Sequence, residues 1–129
     1  MADNQVLISP LSVPQSKKKN FILNLNVYRN AHYQTLNKVK VNYKEHMKEQ
    51  ILALPVYNQV RIKYVLFPKT RRKTDLDNVI SVHQKFFQDA FAEFGRIQDD
   101  TYDFITGSVQ LFGMVDPSNP RVEITIIPI

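Results

Sequence analysis

The stretch Lys69–Asp100, KTRRKTDLDNVISVHQKFFQDAFAEFGRIQDD, decides how the rest of this chain is interpreted. It contains, in order, a basic run, an Asp-x-Asp-Asn turn, a helical pattern and a second acidic pair. A helix is predicted over Asn78–Phe94, because apolar residues recur there at helical spacing over the width of a core-facing surface. Carboxylates flank this helix at both ends, namely Asp75 and Asp77 before it and Asp99 and Asp100 after it. A fold that brings both ends near neighbouring strands would form a divalent-metal site beside a phosphate-binding surface.

The residues before this stretch predict two strands, a loop and a second helix. The alternation in FILNLNVY, 21–28, predicts a strand, and the polar residues 29–37 predict a loop. Apolar residues at helical spacing predict a helix over Val39–Leu54 that ends at Pro55. Renewed alternation then predicts a strand over 56–67 that ends at Pro68.

The residues after this stretch predict a closing β-hairpin. Tyr102–Met114 and Val122–Ile127 are rich in strand-forming residues, and their connector contains turn-forming Asp-Pro and Asn-Pro pairs. A short edge strand is also expected at Val6–Ile8, within an N-terminal extension formed by 1–20. The predicted order is roughly β-β-α-β-α-β-β, which is an α/β or α+β domain with a mixed sheet packed with two main helices.

Length and composition limit the class of protein. A chain of 129 residues, 43% of them hydrophobic, suits one domain over 1–129 with a substantial core. The absence of cysteine removes disulfides, thiolate zinc sites and cysteine nucleophiles, and it fits a reducing cytosol. The sequence has neither a signal-peptide pattern nor a run of about 18 apolar residues, so we expect a soluble cytoplasmic protein.

The distribution of charge is more informative than the net charge of +5. Six basic residues and no acidic one lie between Arg61 and Lys73, whereas seven acidic residues and two basic ones lie between Asp75 and Asp103. A basic surface beside an acidic cluster suits an enzyme that acts on a polyanion, although runs of charge are more often solvated faces. The candidates for phosphate contacts are Arg61, Lys63, Lys69, Arg71, Arg72 and Lys73.

Asp75 and Asp77 are the first candidate metal ligands. Residues two apart in extended backbone point to the same side, so both carboxylates can face one point. The structural alternative is that Asp77 caps the helix and that Asp99 and Asp100 only form a turn. Carboxylates about 4 Å apart repel by roughly 4 kcal/mol per pair at an effective dielectric near 20, so three that converge need a proton or a cation. Oxygen ligands favour Mg²⁺ or Mn²⁺ over zinc.

Several spaced motifs in this stretch agree with one family pattern. The pattern is an Arg/Lys-rich lead-in (71–73 here), D-x-D-N (75–78), a helical Lys, a D-A-L-like triplet (89–91, with Phe91 where Leu is usual), Gly95 and D-D (99–100). This is the pattern of the RusA family of Holliday junction resolvases, which the chain resembles over about one quarter of its length. The segment Asn26–Arg29 also resembles the asparagine- and tyrosine-rich segment of that family.

The resemblance implies a set of site residues and a reaction. Asp75, Asp77 and Asp100 would bind Mg²⁺, with Mn²⁺ as a substitute. Lys85 would be the catalytic lysine, although it lies one helical turn beyond Ser81, the position that the family pattern gives to the lysine. The reaction would be metal-assisted phosphodiester hydrolysis in branched DNA, above all four-way junctions. A homodimer would nick two opposed strands, in a bacterial or phage-infected cell.

Two alternatives remain open at this point. The first is a nuclease of the same fold that acts on another branched or flapped DNA. The second is a non-catalytic nucleic-acid-binding module whose acidic pairs only cap and turn. The helical residue His83 is expected to be a surface or packing residue rather than a metal ligand.

Overall fold

The structure is a computed structural model, and it describes residues 3–129. Strands and helices alternate irregularly along this part of the chain. The chain forms an α+β domain with a mixed sheet, so the predicted fold class is confirmed. The strands are β1 (Gln5–Ser9), β2 (Ser12–Ser16), β3 (Lys19–Ile22), β4 (Val60–Phe67), β5 (Ile105–Phe112) and β6 (Arg121–Pro128). The helices are α1 (Leu25–Asn30), α2 (Tyr33–Leu52) and α3 (Leu76–Glu93).

β4 lies inside the four-stranded sheet, whose order is β1-β6-β4-β5. β4 pairs with β6 in antiparallel and with β5 in parallel orientation. The prediction of a closing hairpin is therefore wrong, since β4 separates the two strands that were expected to pair. Four alternate side chains of β4 are buried and form the centre of the core, namely Val60, Ile62, Tyr64 and Leu66.

α3 is the connection between the parallel strands β4 and β5. Parallel neighbours cannot be joined by a tight turn, so the chain returns through a helix that packs on the sheet. The predicted apolar stripe is confirmed, because Ile80, Phe86 and Phe91 are buried and the Phe87 and Phe91 rings stack with centroids 5.3 Å apart. The helix begins two residues earlier than predicted, and the residue at its N-cap is Asp75 rather than Asp77.

The N-terminal third differs most from its prediction. The strand expected over 21–28 stops at Ile22, and α1 begins at Leu25. The reason is local, since the Asn24 side chain accepts a hydrogen bond from the backbone N–H of Val27 and so starts a helix. The loop predicted over 29–37 is likewise mostly helical, because His32 caps α2.

α2 has the predicted buried stripe, formed by Val39, Tyr43, Met47 and Ile51. An ion-pair group ties this helix to α3. Lys44 Nζ lies 3.0 Å from a carboxylate oxygen of Asp89 and 3.1 Å from one of Glu93. Asp89 therefore serves helix packing, while its neighbours Ala90 and Phe91 enter the core.

A polar cluster is buried where β1, α2 and α3 meet. The Ser9 hydroxyl lies 2.7 Å from the Tyr43 hydroxyl and 2.7 Å from Nδ1 of His83. Nε2 of His83 has no hydrogen-bond partner. His83 is thus a packing residue, as the sequence predicts, and burial lowers its pKa to about 3.

None of the helices in the described part of the chain combines the length and the apolar character that crossing a membrane requires.

We expect the free energy of unfolding to decrease as the pH falls below about 6.5. Below that pH the His83 side chain binds a proton in the unfolded chain, whereas in the folded protein it stays neutral because it is buried. The contribution is fully present above that pH and is lost progressively towards the folded pKa of about 3. Between pH 6.5 and pH 5 the loss is about 2 kcal/mol. Urea unfolding at pH 7 and pH 5 measures it.

The control for this measurement is a pair of substitutions. His83→Asn should reduce the pH dependence, since asparagine does not titrate, whereas His46→Asn at an exposed histidine should leave it unchanged. An equal pH dependence in the wild type and in His83→Asn would contradict the assignment.

Candidate functional site

The chemically distinctive residues gather where β4 and β5 end. The two strands are parallel, so their carboxyl ends lie at the same edge of the sheet. The chain leaves β4 at Pro68 and reaches the first turn of α3 through the basic loop, which we define as residues 69–74. Two backbone hydrogen bonds hold the ends together, from Gly113 N–H to the Leu66 carbonyl at 2.9 Å and from Asp116 N–H to the Pro68 carbonyl at 2.8 Å.

Asp75 and Asp77 line one open pocket of about 550 Å³ at the start of α3, which we call the carboxylate pocket. The Asp75 side chain makes no capping hydrogen bond, although the residue occupies the N-cap position. Asp77 Oδ1 lies 3.5 Å from the Gln110 side-chain nitrogen on β5. Neither carboxylate therefore makes the helix-capping hydrogen bond that the structural alternative requires.

Cations from two different segments share the carboxylate pocket. Lys73 comes from the basic loop and Arg29 from α1, which also contributes Asn26. Sequence reasoning noted the segment 26–29 but assigned Arg29 no role in the site. The available signal was the spacing of Asn26 and Arg29, since residues three apart lie on the same face of a helix.

Asp100 does not line the carboxylate pocket. It lines a second pocket of about 350 Å³, the lysine pocket, together with Lys85, Lys40 and Asp89. The structure therefore brings the predicted site residues together in two pairs, Asp75 with Asp77 and Lys85 with Asp100. Among the described residues, no group of three or more His, Cys, Asp or Glu side chains is arranged to hold a metal ion.

α3 sets the separation of the two pockets. A helix rises about 1.5 Å per residue, so Lys85 lies about 12 Å along the axis from Asp77. Polar contacts with β5 connect the two positions, since the Ser108 hydroxyl lies 3.4 Å from a side-chain oxygen of Gln84, and Gln110 contacts Asp77. Ser81 occupies the position that the family pattern gives to lysine. Its hydroxyl donates a hydrogen bond to the backbone carbonyl of Asp77, within the same helix.

The basic candidates divide between two faces of the molecule. Lys69, Arg71, Arg72 and Lys73 belong to the exposed basic loop, next to the carboxylate pocket. Arg61 and Lys63 alternate with the buried residues of β4, so they point to the sheet face opposite α3. A phosphate-binding surface beside Asp75 and Asp77 would therefore include the loop cations but not Arg61 or Lys63.

The basic loop contributes to the lining of two further cavities. One, of about 430 Å³, is polar and includes Asn24, Asn26 and Asn78 with Arg72 and Lys73. The other, of about 400 Å³, which we call the apolar cavity, has a mainly hydrocarbon interior with loop cations beside it. Its apolar lining comes from the ends of β4 and β5 and the start of α3, namely Leu66, Pro68, Leu76, Phe112 and Val115.

No family model matches this chain, and no curated protein matches it.

The surroundings of Asp100 perturb the acidity of its carboxyl group. Partial burial, followed by the adjacent Asp99 and the charge of Asp89, raises the pKa of the Asp100 carboxyl. The backbone N–H of Asp100 donates to Asp99 Oδ1 at 2.8 Å, which keeps the two acidic residues close. A raised pKa favours the protonated form of the Asp100 carboxyl.

We expect the pKa of the Asp100 carboxyl in a ¹³C NMR pH titration to be higher than the ordinary value of an aspartate. Asp99→Asn should lower that pKa part of the way, because it removes the neighbouring negative charge. Asp103→Asn, at an exposed carboxylate, should leave the Asp100 titration unchanged. An Asp100 pKa at or below the ordinary value would contradict this local electrostatic picture.

Proposed function

We propose that this protein is a Mg²⁺-dependent, structure-selective endodeoxyribonuclease that cuts branched DNA, with four-way junctions as its expected substrate. The observation that carries the proposal is the carboxylate pocket, in which Asp75 and Asp77 share one open space with Arg29 and Lys73. Carboxylates beside phosphate-binding cations are the components of metal-assisted phosphodiester hydrolysis. The resemblance of residues 69–100 to RusA resolvases supports the same reaction.

The donors of the carboxylate pocket fit Mg²⁺. This ion is commonly held by one or two carboxylates and completes its octahedron with waters and substrate phosphate oxygens. Asp75 and Asp77 provide two carboxylates, and the Asn78 side chain in the same pocket provides an amide oxygen. Asp100 lines the lysine pocket instead, so it lies outside this donor set in the present conformation.

The residues of the chain have separate tasks in the proposed reaction. Lys73 and Arg29 bind the phosphate next to the reacting bond and offset the charge that develops on its oxygens. Asp75 and Asp77 hold the ion, which when bound would polarise the phosphate and lower the pKa of a coordinated water. Lys85, about 12 Å further along α3, suits a neighbouring phosphate of the same strand better than the reacting one.

A homodimer is the expected assembly. A four-way junction offers two scissile strands related by a two-fold axis, and a two-fold dimer offers two carboxylate pockets with the same symmetry. This part of the proposal rests on the resemblance to RusA resolvases.

A second function is favoured by the position of Asp100. If Asp75 and Asp77 do not bind a metal ion without a third carboxylate, the protein would be a non-catalytic nucleic-acid-binding module. The basic loop and the polar cavity would then bind phosphates without cutting. The two proposals predict the same DNA contacts but opposite results in a cleavage assay.

The decisive experiment is cleavage of end-labelled four-way, three-way and duplex DNA in the presence of Mg²⁺ or Mn²⁺. We expect the wild type to nick branched DNA, and Asp77→Asn to lower the rate by more than the roughly 10–100-fold that outer-shell groups typically cost. The matched control is Asp103→Asn, which makes the same change at an exposed carboxylate outside the carboxylate pocket.

Two results would count against the nuclease. A wild type that cuts no branched DNA with either ion favours the binding module. Cleavage that persists unchanged in Asp77→Asn means that the reaction does not use this pocket.

Mn²⁺ binding tests the donor set without any cleavage. We expect Mn²⁺ to broaden the amide NMR signals of residues 75–78 first, because the paramagnetic ion would sit in the carboxylate pocket. In Asp75→Asn the same broadening should require an Mn²⁺ concentration at least about 10-fold higher. Asp100→Asn should leave it unchanged, and an equal loss in both variants would instead mean that Asp100 joins the metal site.

A further inference from the structure

We propose that the apolar cavity is a binding site for one unpaired nucleobase of the DNA, which stacks on the Phe112 ring while the basic loop holds the adjacent phosphates. The inference deepens the proposed function and rests on it for the identity of the polyanion. It assigns a role to Phe112, which lies outside the carboxylate pocket and outside the motifs recognised in the sequence.

Phe112 is unusual among the aromatic residues because its side chain is left exposed inside a concave site. It is 57% exposed, although it lies on the face of β5 that packs against α3. On that face α3 contacts Ser108 through Gln84 and Gln110 through Asp77, but the helix begins at Leu76 and leaves Phe112 uncovered. The exposed ring therefore faces a cavity rather than a packed core.

The cavity combines the two properties that an unpaired nucleotide needs. Its interior is hydrocarbon from Leu66, Leu76 and Val115, and its volume of about 400 Å³ lies within the range of small-ligand sites. Arg71 and Arg72 line the same cavity, so anionic phosphates have cations within reach of the apolar floor. Stacking on an aromatic ring beside a cationic groove is the general means of binding single strands without regard to sequence.

The position of the cavity connects it to the carboxylate pocket. Gln110 and Phe112 are two apart on β5, so they lie on the same side of the strand about 7 Å apart. Gln110 contacts Asp77, and Lys73 and Thr74 line both the apolar cavity and the carboxylate pocket. A strand whose unpaired base occupies the cavity would therefore run its phosphates past Asp75 and Asp77. A continuous duplex has no unpaired base to offer, and a four-way junction, whose arms are fully paired, would offer one only where a base pair opens at its branch point.

The absence of tryptophan allows a direct test by fluorescence. Phe112→Trp introduces a single tryptophan inside the cavity, and stacking on a base quenches its emission. The probe is a 15-nucleotide single-stranded DNA of mixed sequence, with the same sequence as a blunt duplex for comparison, both in EDTA so that no cleavage occurs. We expect saturable quenching by the single strand and little by the duplex. Tyr102→Trp, an exposed aromatic position near the opposite end of β5, should not respond to either.

Affinity provides the second measurement. Phe112→Ala should weaken binding of the fluorescein-labelled single strand by about 10-fold or more, and should leave duplex binding within about 2-fold of the wild type. Tyr102→Ala is the matched control and should bind both as the wild type does. Far-UV circular dichroism checks that each variant is folded. Unchanged single-strand affinity in Phe112→Ala, or an equal loss for both DNAs, would overturn the inference.

The outcome is separable from that of the proposed nuclease, because neither measurement requires cleavage. Single-strand binding that depends on Phe112, in a protein that cuts nothing, supports the base site and rejects the nuclease. Cleavage of branched DNA by a protein whose single-strand affinity is indifferent to Phe112→Ala supports the nuclease and rejects the base site.

Discussion

The parallel pairing of β4 with β5 is the constraint on which the rest of the structure depends. Two parallel neighbours require a long return connection, and α3 is that connection. The helix must begin where β4 ends, so the residues just before it lie at the carboxyl edge of both strands. That single topological requirement brings the basic loop, Asp75, Asp77 and the end of β5 to one edge of the molecule.

The same helix that builds the site also divides it. α3 is held in place by a buried aromatic face and by the ion pairs of Lys44 with Asp89 and Glu93. A rod fixed in this way cannot bring residues near its two ends to one point. Asp77 and Asp100 therefore belong to separate pockets, each with its own cations. The separate pockets therefore avoid the electrostatic repulsion that three converging carboxylates would create.

Patterns within one element were predictable from the sequence, and relations between elements were not. The periodicity of α2, β4 and α3 follows from burial on one face, so their existence and their core residues could be read directly. The segment 21–28 was misassigned because the Asn24 cap, a single side-chain hydrogen bond, outweighs an alternating pattern. The residue patterns of β5 and β6 do not show that β4 lies between these two strands. The sequence likewise does not show that Asp100 and Asp75 lie in different pockets. Phe112, which follows Leu111 and so breaks the alternation at the end of β5, carried a local signal that could have been used, as did the spacing of Asn26 and Arg29.

β5 has a hydrogen-bonded neighbour on one side only. A slip of one residue along β4 would turn Gln110 and Phe112 outward and Leu111 inward, which would remove the contact with Asp77 and the floor of the apolar cavity in one step. Outer strands open locally at a lower free energy than the strands between them. This edge of the molecule is therefore lost by the fraying of one strand rather than by unfolding of the whole domain. The backbone hydrogen bonds of Gly113 and Asp116 oppose that fraying.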